Sequence, residues 1–225
     1  MESLLSLFGW LFDFIIHIDV HLTAFVAEHG TLVYALLFLI IFVETGLVVM
    51  PFLPGDSLLF MVGALAGQGM LNLPLAMALM LIAAVAGDQC NYTIGHWLGP
   101  KVFKWEQSRF FNKKAFDAAH GFYDKYGGFT VIVARFMPFI RTFVPFVAGV
   151  AFMTRARFIF FNVIGAVLWV CGVTTLGYLF GGIEIIKDNF EKVIWGLILI
   201  PGLIALFGAW KASRKAKVNA AQVDE

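Results

Sequence analysis

The chain has 225 residues, of which 60% are hydrophobic and only 14% are charged. A soluble domain is about 45–50% apolar and about 25% charged, and a globule of this size cannot bury the excess apolar surface. The composition therefore excludes a typical soluble enzyme, a disordered chain and a nucleic-acid binder with a basic face, and it predicts an integral membrane protein.

Charge is distributed unevenly along the chain. Residues 1–100 contain seven acidic residues and no Lys or Arg, and all 16 basic residues follow from Lys101 onward. Clusters of basic residues mark the cytoplasmic ends of membrane helices. We therefore expect three cytoplasmic segments, which are the loop 101–125, the pair Arg155 and Arg157, and the C-terminal tail 211–225.

The first segment, residues 1–29, is predicted to lie in the membrane interface. Asp13, His17 and His21 recur every four residues and form a polar stripe on an otherwise apolar helix, which is typical of an interfacial amphipathic helix. The same spacing is compatible with a metal site, but a solvated stripe is the favoured interpretation. The segment lacks the basic region of a secretory signal, and its side of the membrane is left open.

Residues 30–99 are predicted to form a proline-broken hairpin followed by a spanning helix. The turn of this hairpin is expected at Pro51, Pro54 and Gly55, because proline removes a backbone donor and breaks a helix. Non-helical backbone at membrane depth survives only where it is buried in protein or lines a wet cavity. The helix 74–99 that follows is long enough to cross a bilayer.

A second hairpin is predicted between two cytoplasmic segments. Since the loop 101–125 and the Arg155 region both carry the cytoplasmic signature, the apolar segment 127–153 must enter and leave the membrane on the same side. Pro138 and Pro145 lie where its turn is needed. We therefore expect a re-entrant hairpin at the start of a second repeat, which covers about residues 126–181.

The two repeats match each other in short stretches. Thr93–Gly99 matches Thr175–Gly181 at an offset of 82 residues, and Met50–Leu53 matches Met137–Ile140 at an offset of 87. Helix 74–99 would run toward the cytoplasm and helix 157–181 away from it. The halves are then inverted, as in many secondary transporters.

The predicted fold is an all-α polytopic membrane protein. Two inverted repeats, each a proline-broken re-entrant hairpin plus a transmembrane helix, lie within a membrane domain at 30–190. An amphipathic helix precedes them, and a last transmembrane helix is expected at 193–210.

Four charges lie inside the proline-broken segments: Glu44, Asp56, Arg135 and Arg141. A charge at mid-bilayer costs roughly 2.5–3.5 kcal/mol on insertion scales, so it needs a partner or water and is a functional-site hypothesis by default. We assign the two arginines to a lipid phosphate, which guanidinium groups bind bidentately. The two acids are assigned to proton coupling or to ion pairs with the arginines. Capping of a helix by Asp56 and simple neutralisation of charge are the structural alternatives.

A second polar cluster lies inside the helix 74–99. Its members are Asp88, Gln89, Asn91 and Tyr92, and Asn162 holds a comparable place in the helix 157–181. Polar side chains at such positions often only bond neighbouring helices. Asp88 is the exception because its charge needs a proton or a partner, so it joins the proton-coupling and ion-pair group.

Several motifs resemble the DedA family of bacterial inner-membrane proteins. They are HIDVHL, ETGLVV-PFLPGDSLLF, GD-x3-YTIG, ARF-P-RTF-PFVAG and NVIGA-LW, and together they extend over about residues 10–190. The resemblance implies inverted halves with re-entrant hairpins. It also implies translocation of undecaprenyl phosphate or a phospholipid, linked to the proton motive force and to envelope integrity. By motif, it assigns essential roles to Glu44, Asp56, Arg135 and Arg141.

The expected function is therefore that of an inner-membrane flippase or scramblase for a phosphate-bearing lipid, with lipid and protons as partners. A proton-coupled transporter of a small solute and a non-transporting structural protein are the alternatives. No paired His/Asp arrangement is placed for lipid phosphatase chemistry, so we expect no enzyme, no cofactor, no metal and no nucleic-acid partner. A homo-oligomer is compatible with the sequence.

Overall fold

The computed structural model describes residues 18–47, 55–103, 127–137, 140–183 and residue 196. These residues fold into helices, and none of them lies in a β-strand, in agreement with the predicted all-α class. The helices are α1 (Ile18–His29), α2 (Leu32–Gly46), α3 (Gly55–Gly67), α4 (Leu73–Phe103), α5 (Phe129–Ala134), α6 (Ile140–Val150) and α7 (Arg155–Phe180).

Two of the described helices are long and apolar enough to cross a bilayer. Leu73–Gly99 of α4 has 27 residues with a mean hydropathy of 1.7, and Arg155–Phe180 has 26 residues with a mean hydropathy of 2.0. At 1.5 Å per residue, each exceeds a hydrocarbon core of about 30 Å. They coincide with the spans predicted from the sequence at 74–99 and 157–181.

Some of the predicted elements lie outside the described residues. These are the last transmembrane helix at 193–210, except for residue 196, the tail 211–225, most of the loop 101–125, and the positions Asp13 and His17 of the N-terminal stripe.

The long helix α7 lies in very close contact with α3. A β-carbon built on Gly63 would lie 2.1 Å from the carbonyl oxygen of Thr174, and one built on Gly177 would lie 2.0 Å from the carbonyl oxygen of Phe60. Side chains larger than hydrogen would clash at both positions, so the two backbones touch directly, as small residues allow in membrane proteins.

The long helix α4 meets α6 through the same pattern of contacts. A β-carbon on Gly95 would lie 2.1 Å from the carbonyl oxygen of Phe146, and one on Gly149 would lie 2.1 Å from that of Tyr92. The same rule holds in the α3–α7 pair. Each glycine faces a carbonyl group on the other helix, and the residue with that carbonyl lies three positions before the other helix's contacting glycine. Each long helix therefore packs against the second short helix of the other half of the chain.

The two long helices run antiparallel to each other. Tyr92 stacks on Phe158 with ring centroids 4.5 Å apart, and the carbonyl oxygen of Val85, earlier in α4, accepts from the side chain of Asn162, later in α7. The end of α4 therefore lies beside the start of α7. This brings the onset of the basic loop at Lys101 to the same end of the helix pair as Arg155.

One predicted turn residue is placed differently by the structure. Pro145 lies inside α6 rather than at a turn, so its assignment as a hairpin turn is wrong. The helical path is interrupted earlier, between the end of α5 at Ala134 and the start of α6 at Ile140. Within a bundle, neighbouring helices allow a helix to keep such a proline. Gly55 is the first residue of α3, and the remaining predicted turn residues lie outside the described part of the chain; they are Pro51, Pro54 and Pro138.

Candidate functional site

The predicted charged residues meet where the short helices end. Glu44 lies in the last turn of α2, Asp56 in the first turn of α3, and Arg141 in the first turn of α6. Arg135 follows directly after α5, and Asp88 lies midway along α4. The breaks between the short helices therefore bring residues from both halves of the chain into one polar region inside an apolar bundle.

Arg141 is held by two carboxylates. Its Nη1 donates to Oδ1 of Asp56 at 2.9 Å, and its Nη2 donates to Oε1 of Glu44. The Arg141 side chain is 11% exposed, and that of Glu44 is 1% exposed. Buried charges persist when they are paired and hydrogen-bonded, and Arg141 meets this condition with two acids from the first half of the chain. Asp56 uses its carboxylate for this ion pair.

Arg135 has a different acidic partner from the one expected. Its Nη1 donates to Oδ2 of Asp88 at 2.5 Å and to Oδ1 of Asn162 at 2.7 Å. The expectation that Arg135 pairs with Glu44 or Asp56 is therefore wrong. Arg135 is the partner that the charge of Asp88 was expected to need.

Several strong polar atoms of the site have no hydrogen-bond partner among the described residues. They include Nε and Nη2 of Arg135. A buried donor without an acceptor costs roughly 1–3 kcal/mol, and more when it is charged. Arg135 therefore retains two donor nitrogens, Nε and Nη2, that can donate to an incoming anion.

Trp169 joins the two ion-pair groups; in the sequence it stood out only as the last residue of the motif NVIGA-LW, with no role assigned to it. Its indole Nε1 donates to Oδ1 of Asp56 at 2.6 Å. The guanidinium carbons of Arg135 and Arg141 lie 5.3 Å and 5.0 Å from the centroid of its ring, within the range of cation–π attraction. A tryptophan in an apolar helix carries no sequence signal that separates a site residue from a packing residue.

A small cavity opens between the two ion-pair groups. Its lining consists of Thr45, Asp88, Val131, Arg135, Arg141, Thr142, Pro145 and Trp169. The centre of a water molecule can move within a volume of about 10 Å³ in this cavity, so the cavity has room for about one water molecule. A phosphate group is larger, so it enters only if the ion pairs separate.

Asn91 ties the two halves of the chain together beside this cavity. Its Nδ2 donates to the carbonyl oxygen of Thr142 at 2.7 Å and to that of Thr45 at 3.3 Å. These carbonyls belong to the start of α6 and the end of α2. The amide of Asn91 therefore satisfies backbone groups next to the helix breaks, which is a structural role of the kind expected for this polar cluster.

The chemistry open to this site is the binding of anions and the exchange of protons. Guanidinium groups stay charged and match the geometry of phosphate, and the carboxylates can take up a proton. Within the part of the chain that the structure describes, no three His, Cys, Asp or Glu side chains lie close enough together to hold a metal ion.

Comparison with known proteins agrees with these observations. The VTT domain profile matches residues 53–179. The chain belongs to the VTT domain, or DedA, family. It is 51% identical to Protein DedA of Escherichia coli strain K12 over 217 residues, which cover 94% of this chain and 99% of that protein.

More distant members of the family are also membrane proteins by name. An uncharacterized membrane protein of Mycobacterium leprae is 43% identical, with 82% of this chain and 85% of that protein covered. The inner membrane protein YqjA of Escherichia coli strain K12 is 35% identical, with 79% and 80% covered. No solved structure matches the chain. Together with the two long apolar helices, these relatives identify a membrane protein.

Proposed function

We propose that the protein translocates a phosphate-bearing lipid, such as undecaprenyl phosphate or a phospholipid, across the bacterial inner membrane. The observation that carries this proposal is the pair Arg135 and Arg141, two buried guanidinium groups that share one cavity inside an apolar bundle. Phosphate is the lipid group that such a pair recognises.

In the proposed cycle, the observed ion pairs represent the empty site. A lipid phosphate displaces Asp56 and Glu44 from Arg141 and takes up the unpartnered donors of Arg135. The acyl or prenyl chains stay in the bilayer while the headgroup passes the arginines. Arg141 exchanges its charge-assisted hydrogen bonds to the carboxylates for similar bonds to the phosphate, and the displaced buried carboxylates then need a proton or another donor.

Coupling to protons follows from the balance of charges. Three carboxylates, those of Glu44, Asp56 and Asp88, face two guanidinium groups in the described site. With all five groups ionised the site carries a net negative charge, which repels an anion. Uptake of a proton by one carboxylate removes this repulsion, so we assign Glu44, with Asp56 and Asp88 as alternatives, to proton coupling.

The architecture proposed for this function is a pair of inverted repeats with re-entrant hairpins. It is supported by the antiparallel α4 and α7, and by the matching glycine contacts of α3 with α7 and of α6 with α4. In this arrangement the protein is multi-pass, and the basic loop and the C-terminus face the cytoplasm, as the charge asymmetry predicts. Helix breaks near the middle of a membrane are where many transporters bind their substrates.

A proton-coupled transporter of a small anionic solute is the second candidate. It is favoured by the small size of the cavity, which has room for about one water. We also propose that the protein is not an enzyme. Headgroup analysis before and after incubation tests this point, because an enzyme would consume the lipid.

The proposal is tested by lipid translocation in proteoliposomes. The rate is followed for an acyl-labelled phosphatidate and for labelled undecaprenyl phosphate, with inorganic phosphate uptake as the arm for a small solute. Wild type is compared with Arg135→Lys, which keeps the charge but loses the planar fork. The exposed Arg155 provides the matched control as Arg155→Lys.

We expect Arg135→Lys to slow lipid movement roughly tenfold to a hundredfold, as the loss of one charge-assisted hydrogen bond implies, while Arg155→Lys moves lipid like wild type. Folded wild-type protein that moves neither lipid would contradict the proposal. Uptake of inorganic phosphate without lipid movement would favour the small-solute transporter.

A further inference from the structure

We propose that Trp169 is itself a phosphate-binding residue, whose indole N–H donates to the lipid phosphate when the phosphate takes the position now held by Oδ1 of Asp56. This inference rests on the proposed function, because it concerns the same site and the same substrate class. It adds a neutral donor from α7 to the two arginines already assigned.

The position of one oxygen atom carries the inference. Oδ1 of Asp56 accepts from Nη1 of Arg141 at 2.9 Å and from Nε1 of Trp169 at 2.6 Å. These two donors come from α6 and α7, and they converge on a single anionic oxygen that is supplied by α3. A phosphate oxygen is the same type of acceptor, so an oxygen placed at this point gains both donors at once.

Burial makes the transfer of the indole hydrogen bond necessary. Trp169 is 1% exposed, and a buried N–H that loses its acceptor is left unsatisfied at a cost of roughly 1–3 kcal/mol. When a phosphate oxygen takes the position of Oδ1, it displaces Asp56 from both of its donors, Arg141 and the indole. The incoming oxygen is then the nearest replacement acceptor for the indole.

The ring of Trp169 supports the same role. The guanidinium carbons of Arg135 and Arg141 lie 5.3 Å and 5.0 Å from the centroid of the ring. Trp169 also lines the cavity together with both arginines. Cation–π contacts of this kind restrain the arginines without neutralising them. The indole therefore orients the two charged donors and supplies a third donor beside them.

The competing role for Trp169 is that of a latch on the empty site, which bonds only to Asp56 and never to the phosphate. A double-mutant cycle separates the two roles. The first change is Asp56→Ala, which removes the present acceptor of the indole. The second is Trp169→Phe, which keeps an aromatic ring but removes the N–H. Binding is measured by calorimetry with dihexanoyl phosphatidate, a soluble phosphate lipid, in detergent micelles.

In the Asp56→Ala background, we expect Trp169→Phe to weaken binding of the phosphatidate roughly tenfold or more, because a hydrogen bond to a charged acceptor is lost only in the bound state. With Asp56 present the effect is smaller, since the substitution removes one hydrogen bond from the free state as well as from the bound state. A latch predicts no effect of Trp169→Phe once Asp56 is gone, and that result would overturn the inference.

A second measurement covers the case in which the double variant does not fold. Tryptophan emission is recorded while phosphatidate is added to wild type, to Trp169→Phe and to Trp97→Phe, which replaces an exposed tryptophan on α4. We expect a ligand-induced change in wild type and Trp97→Phe, and none in Trp169→Phe protein that calorimetry shows to be loaded. An unchanged emission of Trp169 in loaded wild type contradicts the inference.

The outcomes for this inference and for the proposed function are distinguishable. Wild type could bind and move the lipid while neither the binding cycle nor the emission measurement shows an effect of Trp169. In that case the inference is wrong and the proposed translocase function is unaffected. If Trp169→Phe weakens binding in the Asp56→Ala background while neither lipid is moved, the binding role is supported and the proposed translocase function is wrong. If wild type binds no phosphatidate and moves neither lipid, both are wrong.

Discussion

At the scale of single residues, the buried charges form two groups that meet at one indole ring. Arg141 pairs with Glu44 and Asp56, Arg135 pairs with Asp88, and Trp169 contacts both arginines. Removing one partner of a buried pair leaves an uncompensated charge, which is more damaging than removing both. The stability of the site therefore depends on matched pairs rather than on any single charge.

The first prediction concerns the pair of Arg135 and Asp88. Asp88→Asn replaces the carboxylate that neutralises the buried guanidinium of Arg135 by an uncharged amide, and we expect the free energy of unfolding to fall by about 3–5 kcal/mol. Adding Arg135→Gln removes the orphaned charge and should recover most of this loss. Unfolding in SDS titrations of micellar protein measures both values.

The control for this pair is the exposed Arg155. Arg155→Gln should change the free energy of unfolding by less than about 0.5 kcal/mol, as is usual for surface substitutions. If the double variant is no more stable than Asp88→Asn alone, the contact between Arg135 and Asp88 is not the source of the loss.

The charged members of the site and the acidic partners of Arg141 were predictable from the sequence, but the pairing of Arg135 with Asp88 was not. Charges such as Glu44 and Arg141 stand out because they lie in apolar segments where a charge is costly. Which acid faces which arginine depends on how α4 and α6 are rotated, and sequence spacing alone does not determine that rotation. Trp169 was not identified, since an indole is common in an apolar membrane helix.

At the scale of helices, the two close contacts between backbones determine how the halves interlock. Gly63 with Gly177 brings α3 against α7, and Gly95 with Gly149 brings α6 against α4. Gly95 and Gly177 lie at matching positions of the repeat between Thr93–Gly99 and Thr175–Gly181, but the repeat does not indicate their partners. Those partners, Gly63 and Gly149, lie in the short helices of the opposite half. The break between α5 and α6 was located only in part from the sequence, because Pro145 lies inside α6 and not at the break.

The second prediction is a comparison of two glycines on α7. A β-carbon at Gly177 would lie 2.0 Å from the carbonyl oxygen of Phe60, whereas nothing lies within 4 Å of one at Gly172. We expect Gly177→Ala to destabilise the protein by about 1–3 kcal/mol through overpacking. Gly172→Ala should be neutral, or stabilising by up to about 1 kcal/mol, because alanine favours a helix.

Thermal unfolding of the two variants, side by side in the same detergent, checks this prediction. Equal melting temperatures would mean that α3 and α7 do not touch at Gly177. Since Gly177 lies outside the ion-pair groups, any loss of translocation in this variant should follow the loss of folded protein.

At the scale of the whole molecule, the polar site is formed by residues from both halves of the chain. Glu44 and Asp56 come from the first half and Arg141 from the second, so separating the halves separates the ion pairs. In the proposed cycle, binding of an anion is therefore linked to a movement of the halves, and a ligand shifts such an equilibrium only through its different affinity for the two states. The sequence predicted the helical membrane class, because composition and apolar length alone determine it.

The third prediction concerns the proton gradient. Glu44→Gln keeps the shape of the side chain but removes both its charge and its capacity to carry a proton. We expect lipid movement by this variant to be the same with and without an imposed proton gradient, whereas wild type moves lipid faster with the gradient. Glu28→Gln, at an exposed glutamate of α1, is the matched control and should respond like wild type.

The translocation assay in proteoliposomes checks this prediction directly. If Glu44→Gln responds to the gradient as strongly as wild type does, Glu44 is not the proton carrier, and Asp56 and Asp88 become the residues to test in the same way.

The measurement that tests the central claim most directly compares two headgroups on the same lipid tail. In one set of proteoliposomes, wild type is given an acyl-labelled phosphatidate and, separately, a glucosyl diacylglycerol with identical chains and an uncharged polar headgroup. We expect wild type to move the phosphatidate faster than protein-free vesicles do, Arg135→Ala to abolish this gain, and the uncharged lipid to gain nothing. Equal movement of both lipids, unaffected by Arg135→Ala, would contradict phosphate recognition by the buried arginines.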